Sequence, residues 1–217
     1  MAAVIPVKPL DTALGRLAGV LEAQERRHLQ QAMLVAVLTA CTSSRLDEIL
    51  VVTGDAAASS VAASKGARVV PDYAPPRGMN PAVSHGCTVA QDSGVDAALV
   101  LTADLPHARA SDIDAEEAHA NSKPSVVLTP SRDGTGTNAM LLCGPRVLAP
   151  ALGIGSLARH EEQARRLGIR VVRCDRPRLA LDIDTPEDLA TLWAEAPHWA
   201  RDLGGTGTEQ MVAGSAS

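Results

Sequence analysis

Ala97-Ala-Leu-Val-Leu-Thr-Ala-Asp-Leu-Pro106 is an apolar run that ends in one aspartate and a proline turn. A run without polar alternation is what a strand buried on both faces requires, and such strands belong to parallel sheets covered by helices on each side. Open sheets of that kind bind their ligands beyond the carboxyl ends of the strands, where Asp104 stands. Further along the chain, Leu181-Asp-Ile-Asp-Thr-Pro186 supplies two more carboxylates at alternate positions of an extended segment, hence on one side of it. Three such carboxylates converging would hold a hard divalent cation. With a Gly-rich loop and a basic N-terminal segment around them, they point to chemistry on a nucleoside triphosphate and Mg2+.

Strand and helix patterns alternate on either side of this stretch. Strands are predicted over residues 3–7, 48–53, 67–70, 97–102, 125–129, 138–142 and 169–172; helices are predicted over 22–39, 56–64 and 81–91, after Ser156, and from Thr185 on. Strands separated by helices predict an α/β fold, a mostly parallel sheet flanked by helices on both faces. A chain of 217 residues suits one such domain, placed at 1–198, and the small and polar residues 199–217 read as a disordered tail.

Composition excludes several classes of function. There is no Phe, one Tyr and two Trp, so Val, Leu, Ile and Ala must build the core, and aromatic stacking cannot be the main grip on a base. A net charge of −5 without a basic cluster argues against binding nucleic acid. Cys41, Cys87, Cys143 and Cys174 are far apart and lack ligand spacing, which predicts reduced thiols. The apolar start from Ala2 to Val7 has no cleavage site or long hydrophobic region after it, and no 18-residue apolar span occurs, so a soluble cytoplasmic protein without a membrane partner is expected. Oligomeric state leaves no mark in the sequence.

Each motif also has a plain reading. Asp104-Leu-Pro106 is ordinary turn chemistry. In Asp182-Ile-Asp-Thr-Pro-Glu-Asp188, a cap at Asp184 or Thr185, Pro186 at the first helical position and two acids in the first turn account for Thr185 to Asp188, but not for Asp182. Asp133-Gly-Thr-Gly-Thr-Asn138 reads either as a hairpin loop or as a nest of backbone N–H groups suited to phosphate or carboxylate. Ser156, after Gly153 and Gly155, reads as the N-cap of a helix whose amino end would attract an anion. Lys8 and Arg16, beyond the first strand, are surface charges or contacts to a triphosphate. His107 and His160 read as surface or supporting residues.

Taken in order, Pro6-Val-Lys-Pro-Leu10 with Arg16-Leu-Ala18, Met79-Asn80, Thr102-Ala-Asp-Leu-Pro106, Asp133 to Asn138, Gly153 with Ser156-Leu-Ala-Arg-His160, and Asp182 to Leu189 resemble the phospholactate guanylyltransferase family of deazaflavin coenzyme F-420 biosynthesis. The resemblance runs from about residue 3 to 193. It implies a nucleotidyltransferase fold of the nucleotide-diphospho-sugar transferase kind. The implied activity is transfer of GMP from GTP to a small phosphorylated acid (2-phospho-L-lactate, phosphoenolpyruvate or 3-phospho-D-glycerate) with release of pyrophosphate. Carried over by position, Asp104, Asp182 and Asp184 hold Mg2+ and are catalytic, Thr137, Gly153 and Ser156 bind the phospho-acid, and Lys8, Arg16 and Asn80 bind the nucleotide.

One departure stands out. The family usually reads Ala-Lys-Ser-Arg-Leu where this chain has Ala13-Leu-Gly-Arg-Leu17. Loss of an ammonium facing the phosphates is expected to weaken GTP binding or to slow departure of the leaving group. Two alternatives stay open: a nucleotidyltransferase with another nucleotide or acceptor, of the cytidylyltransferase or molybdopterin type, and a non-catalytic nucleotide-binding module. The molybdopterin type would carry a Gly-x-Gly-x-Arg loop where Pro6 to Leu10 stands.

Overall fold

The computed structural model describes residues 1–72, 78–119, 124–144, 146–196 and 198–199. Seven strands, β1 (Ala2–Pro6), β2 (Glu48–Thr53), β3 (Arg68–Pro71), β4 (Ala97–Leu101), β5 (Ser125–Pro130), β6 (Thr137–Cys143) and β7 (Arg170–Arg173), form one sheet in the order β3-β2-β1-β4-β6-β5-β7. The helices are α1 (Ala23–Thr42), α2 (Ala56–Ser64), α3 (Met79–Asp92), α4 (Ala110–Glu117), α5 (Ser156–Arg166), α6 (Pro177–Ala180) and α7 (Pro186–Glu195). The chain steps outward from β1 to β2 and β3, then returns to the other side of β1 for β4. That reversal opens a crevice beyond the carboxyl ends of β1 and β4, the place where an open α/β sheet receives its ligand.

The central strands are apolar throughout because both of their faces are covered. On β4, Leu99 and Leu101 face one layer and Ala98 and Val100 the other; on β1, Ala3 and Ile5 are opposed by Ala2 and Val4. The first layer is filled by Leu34, Val37, Leu38 and Cys41 of α1, Ala58 and Ala62 of α2 and Ile113 of α4. The second is filled by Ala82, Val83, Cys87 and Ala90 of α3 with Leu157 and Ala164 of α5. A third cluster joins Leu14, Leu17 and Leu21 to Leu29 and Met33 of α1 and to Leu181, Ile183, Leu189 and Trp193. It packs the N-terminal basic segment against the segment that carries Asp182 and Asp184.

One strand runs against the rest. β6 is antiparallel to both neighbours, with Leu101 opposite Ala139 and Thr129 opposite Ala139 on the other side, whereas β5 and β7 are parallel. The loop from Ser131 to Gly136 is therefore a hairpin connection. Because β6 is reversed, its first residues, Thr137 and Asn138, lie beside the carboxyl end of β4, and the Thr102 N–H donates to the Asn138 carbonyl at 3.2 Å. A bulge at Thr129/Pro130 marks the same edge.

The predicted strands and helices are present with ends shifted by a few residues; α4, α6 and the 3-10 turn Gly15–Leu17 have no counterpart in the sequence reading. Each is short, with few apolar positions to set a period. The four cysteines are free and buried. Among the described residues no helix is long and apolar enough to cross a membrane. Apart from Trp199, the expected tail lies outside the described residues.

Candidate active site

Asp104 follows β4 by three residues and is held from behind: the Ile183 N–H donates to its backbone carbonyl at 3.2 Å, which places the Asp182–Asp184 segment across the strand end. That segment is anchored at both ends. Upstream, Arg178 of α6 makes a two-pronged pair with the buried Asp112 of α4 (2.8 and 2.7 Å), and the Arg132 N–H donates to the Ala180 carbonyl at 2.8 Å. Downstream, Thr185 caps α7: its hydroxyl oxygen accepts the Asp188 N–H, and the Asp188 carboxylate accepts the Thr185 N–H at 3.0 Å, with Pro186 in the first turn. Between the anchors, Ile183 points into the core while Asp182 and Asp184 both line the cleft.

The carboxylates are in unequal surroundings. Asp104 is pushed up to about 7, first by burial and then by the charge of Asp182, with Asp184 adding to it. The Thr102 hydroxyl beside it opposes that rise, yet neither Asp104 Oδ1 nor Thr102 Oγ1, both buried, makes a hydrogen bond of full geometry. Asp182 is also raised, mainly by burial, against the hydrogen bond that it accepts from Asn138. Asp184 is half-exposed and pairs with Arg16, Nη1 to Oδ2 3.2 Å. Among the described residues no three His, Cys, Asp or Glu side chains form a metal-holding set. An open, oxygen-only pair backed by a third carboxylate still fits Mg2+, which keeps waters and substrate phosphates in its shell and needs one or two protein carboxylates rather than a cage. The under-bonded Asp104 oxygen, costly to bury unsatisfied, is the feature that such an ion would relieve.

Asn138 is the residue that the sequence reading passed over. Its side-chain amide donates to the carbonyls of Leu179 and Ala180 and to Asp182 Oδ1, each at 3.0 Å, and so fixes the whole approach to the carboxylates. A buried asparagine at the head of an otherwise apolar strand was the available signal.

The Gly-rich loop is not an open nest. Asp133 occupies it: its carboxylate accepts the Ser131 hydroxyl (2.6 Å), the Thr135 N–H (2.9 Å) and the Thr135 hydroxyl (2.8 Å), while the Gly136 N–H donates to Ser131 Oγ at 2.7 Å. These bonds hold Asp133 down at about 2, so the loop carries its own anion, and the N–H groups of Gly134, Thr135 and Gly136 are already satisfied. Nor is Ser156 a cap. Gly155, at φ 70°, takes the N-cap position of α5, and Ser156 is the first helical residue, its hydroxyl bonded to Thr137 Oγ1 at 3.1 Å.

The remaining predicted residues divide. Lys8, Arg16, Thr137, Gly153 and Ser156 line one cleft of about 490 Å3 together with Asp104, Asp182 and Asp184, a size suited to a nucleotide-like ligand. Asn80 is directed elsewhere: its amide donates to the Leu152 carbonyl (3.3 Å) and its oxygen accepts the Leu152 N–H (2.7 Å), so it holds the 151–155 loop, while its neighbour Met79 lines the cleft. Arg159 holds the same loop through the carbonyls of Ala151 (2.8 Å) and Ile154. His107 pairs with Glu195 at 3.3 Å, and His160 is fully buried rather than superficial.

The family model "Guanylyl transferase CofC like" matches residues 1–196. The chain is 41% identical over 192 residues to the phosphoenolpyruvate guanylyltransferase of Conexibacter woesei, covering 88% of this chain and 86% of that one. It is 40% identical to that of Sphaerobacter thermophilus, covering 90% and 93%. In structure it is similar to a putative nucleotide-diphospho-sugar transferase from Desulfovibrio desulfuricans G20, with a TM-score of 0.76, 16% identity and 97% of each chain covered, a likeness of fold.

Proposed function

The chain belongs to the CofC-like guanylyl transferases, and from that premise we propose that it transfers GMP from GTP to phosphoenolpyruvate, releasing pyrophosphate, as a step in deazaflavin coenzyme F-420 biosynthesis. Phosphoenolpyruvate is chosen over 2-phospho-L-lactate and 3-phospho-D-glycerate because relatives about two-fifths identical over nearly the whole chain carry that acceptor in their names. The observation that carries the reading is the composition of one cleft. Its lining includes the carboxylates of Asp104, Asp182 and Asp184, the cations Lys8 and Arg16 and the buried hydroxyls of Thr137 and Ser156.

In the reaction, an oxygen of the acceptor phosphate attacks the α-phosphorus of GTP in line. The new P–O bond forms as the bond from that phosphorus to the β-phosphate oxygen breaks, and pyrophosphate departs with the electron pair. The nucleophile is already an anion, so no general base is required, and the task of the protein is to bring two anions together. Lys8, which has no ion-pair partner among the described residues, and Arg16, which must leave Asp184, line the cleft and would meet the triphosphate. Thr137 and Ser156, which line the same cleft, would meet the acceptor. Asp104 and Asp182, with Asp184 beside them, would hold Mg2+, which supplies charge neutralisation to the phosphates when bound. Asn138 keeps Asp182 aimed, and Asn80 and Arg159 keep the acceptor loop in place.

The test is pyrophosphate release measured with GTP, CTP and ATP, each crossed with the three phospho-acids and Mg2+. Turnover confined to GTP with phosphoenolpyruvate is expected. Turnover with CTP, or with a different acid as the preferred acceptor, replaces the assignment, and none with any pair removes it.

A further inference from the structure

We infer that His160 is a positioning residue: by donating from Nδ1 to Thr137 Oγ1 it turns the Thr137 hydroxyl proton into the cleft, ready for an oxygen anion of the acceptor. The inference rests on the functional reading above for the identity of the acceptor. Its geometry stands on hydrogen bonds alone.

Ser156 and His160 are one turn apart on α5 and therefore share a face, the face turned to the head of β6. The imidazole is fully buried and sits between two partners. On one side the Ala151 N–H donates to Nε2 at 2.9 Å. A backbone N–H can only donate, so Nε2 is the bare nitrogen. Burial and the nearby charge of Arg159 push the ring down to about 4, so it is neutral and carries a single proton. That proton must be on Nδ1, which lies 3.2 Å from Thr137 Oγ1. The same oxygen accepts the Ser156 hydroxyl at 3.1 Å. Both lone pairs of Thr137 are then occupied, and its own proton has only the cleft to point into. With the other tautomer, Thr137 would have to donate to Nδ1 and would turn a lone pair toward an incoming anion. A backbone N–H thus sets the polarity of a side-chain hydroxyl through an imidazole. Ala151 is itself fixed, because its carbonyl accepts both Nε–H and Nη2–H of Arg159.

Two substitutions separate the two ends of the ring. His160→Asn places an amide near the Nδ1 position and keeps a donor for Thr137. His160→Gln places one near Nε2 and keeps only the contact to Ala151. We expect His160→Asn to hold KM for phosphoenolpyruvate within about threefold. His160→Gln should raise it about tenfold or more, the scale of one hydrogen bond to a charged group, with KM for GTP and kcat little changed. Equal effects of the two variants, or a parallel rise in KM for GTP, overturn the inference. Should either variant fail to fold, the wild-type chain decides: 15N spectra of histidine-labelled protein should show His160 as the Nδ1–H tautomer, and an Nε2–H or doubly protonated ring overturns the inference. If the wild type transfers no nucleotide to any phospho-acid, the functional reading fails while the tautomer measurement still judges the relay.

Discussion

Arg16 shows how little a visible ion pair says about purpose. Its guanidinium is 60% exposed and its partner Asp184 48%, so the pair is worth at most about 1 kcal/mol and is easily exchanged for a phosphate. Arg16→Ala should therefore leave the unfolding midpoint nearly unchanged, yet weaken GTP binding by about tenfold at low ionic strength. The loss should shrink as salt screens the attraction. Calorimetric titration with GTP at two salt concentrations checks this, and an unchanged dissociation constant at low salt would place Arg16 outside the triphosphate site. Asp182 stood out as a single residue because capping chemistry explains its neighbours but not it, whereas Asp104, which ordinary turn chemistry would explain, was marked only by its place at the end of an apolar strand. Asn80 bore no such mark. Its two bonds to Leu152 link positions far apart in the sequence, and no local pattern distinguishes an asparagine that holds a loop from one that meets a ligand.

Within elements, the departure at Leu14-Gly15 has two unlike halves. Leu14 is left-handed, at φ 54°, and its side chain packs with Leu17 and Ile183 as well as bordering the cleft. Gly15 has ordinary backbone and open space where a Cβ would go. Gly15→Ser should be neutral in stability, whereas Leu14→Lys removes an apolar plug and draws an ammonium toward the core, at about 1–3 kcal/mol. Chemical denaturation of the two single variants separates them; equal midpoints would mean that the Leu14 side chain is not part of the packing. Gly86 on α3 gives a firmer case, because a Cβ there would fall onto Val4 Cγ1 and 2.8 Å from Val52 Cγ2. The helix approaches the sheet closely only because that atom is missing, so Gly86→Ala should destabilise by about 1–3 kcal/mol despite its better helix propensity. A midpoint equal to or above wild type would contradict this packing. The strands were legible as elements, since unbroken Val/Leu runs allow little else. The reversal of β6 was not, because an apolar strand reads the same in either direction and only the short Ser131–Gly136 hairpin decides it.

At the scale of the molecule, a raised carboxyl at the ligand-binding edge couples function to global stability. The folded value for Asp104, about 7, lies above the ordinary 3.8 of an unfolded aspartate. The folded state therefore holds this proton more tightly, and the stability it brings is complete below about pH 4 and lost as pH rises through 7. Metal-free protein should melt progressively lower from pH 5 to pH 8, with other groups adding their own slopes. Asp104→Asn removes this contribution, so the variant should melt higher than wild type at pH 8 and flatten the decline, while turnover falls by about a hundredfold or more. Mg2+ acts in the opposite sense. An ion that binds the folded state alone raises the melting temperature, and binding here must first expel the Asp104 proton. The upward shift from Mg2+ should accordingly be small at pH 6 and larger at pH 8 in the wild type, and close to absent in Asp104→Asn at either pH. Melting curves of both proteins, with and without Mg2+, carry the full set of signs. A shift independent of pH, or one of equal size in the variant, would mean that the ion binds away from Asp104 and that the unsatisfied oxygen at the end of β4 has another role.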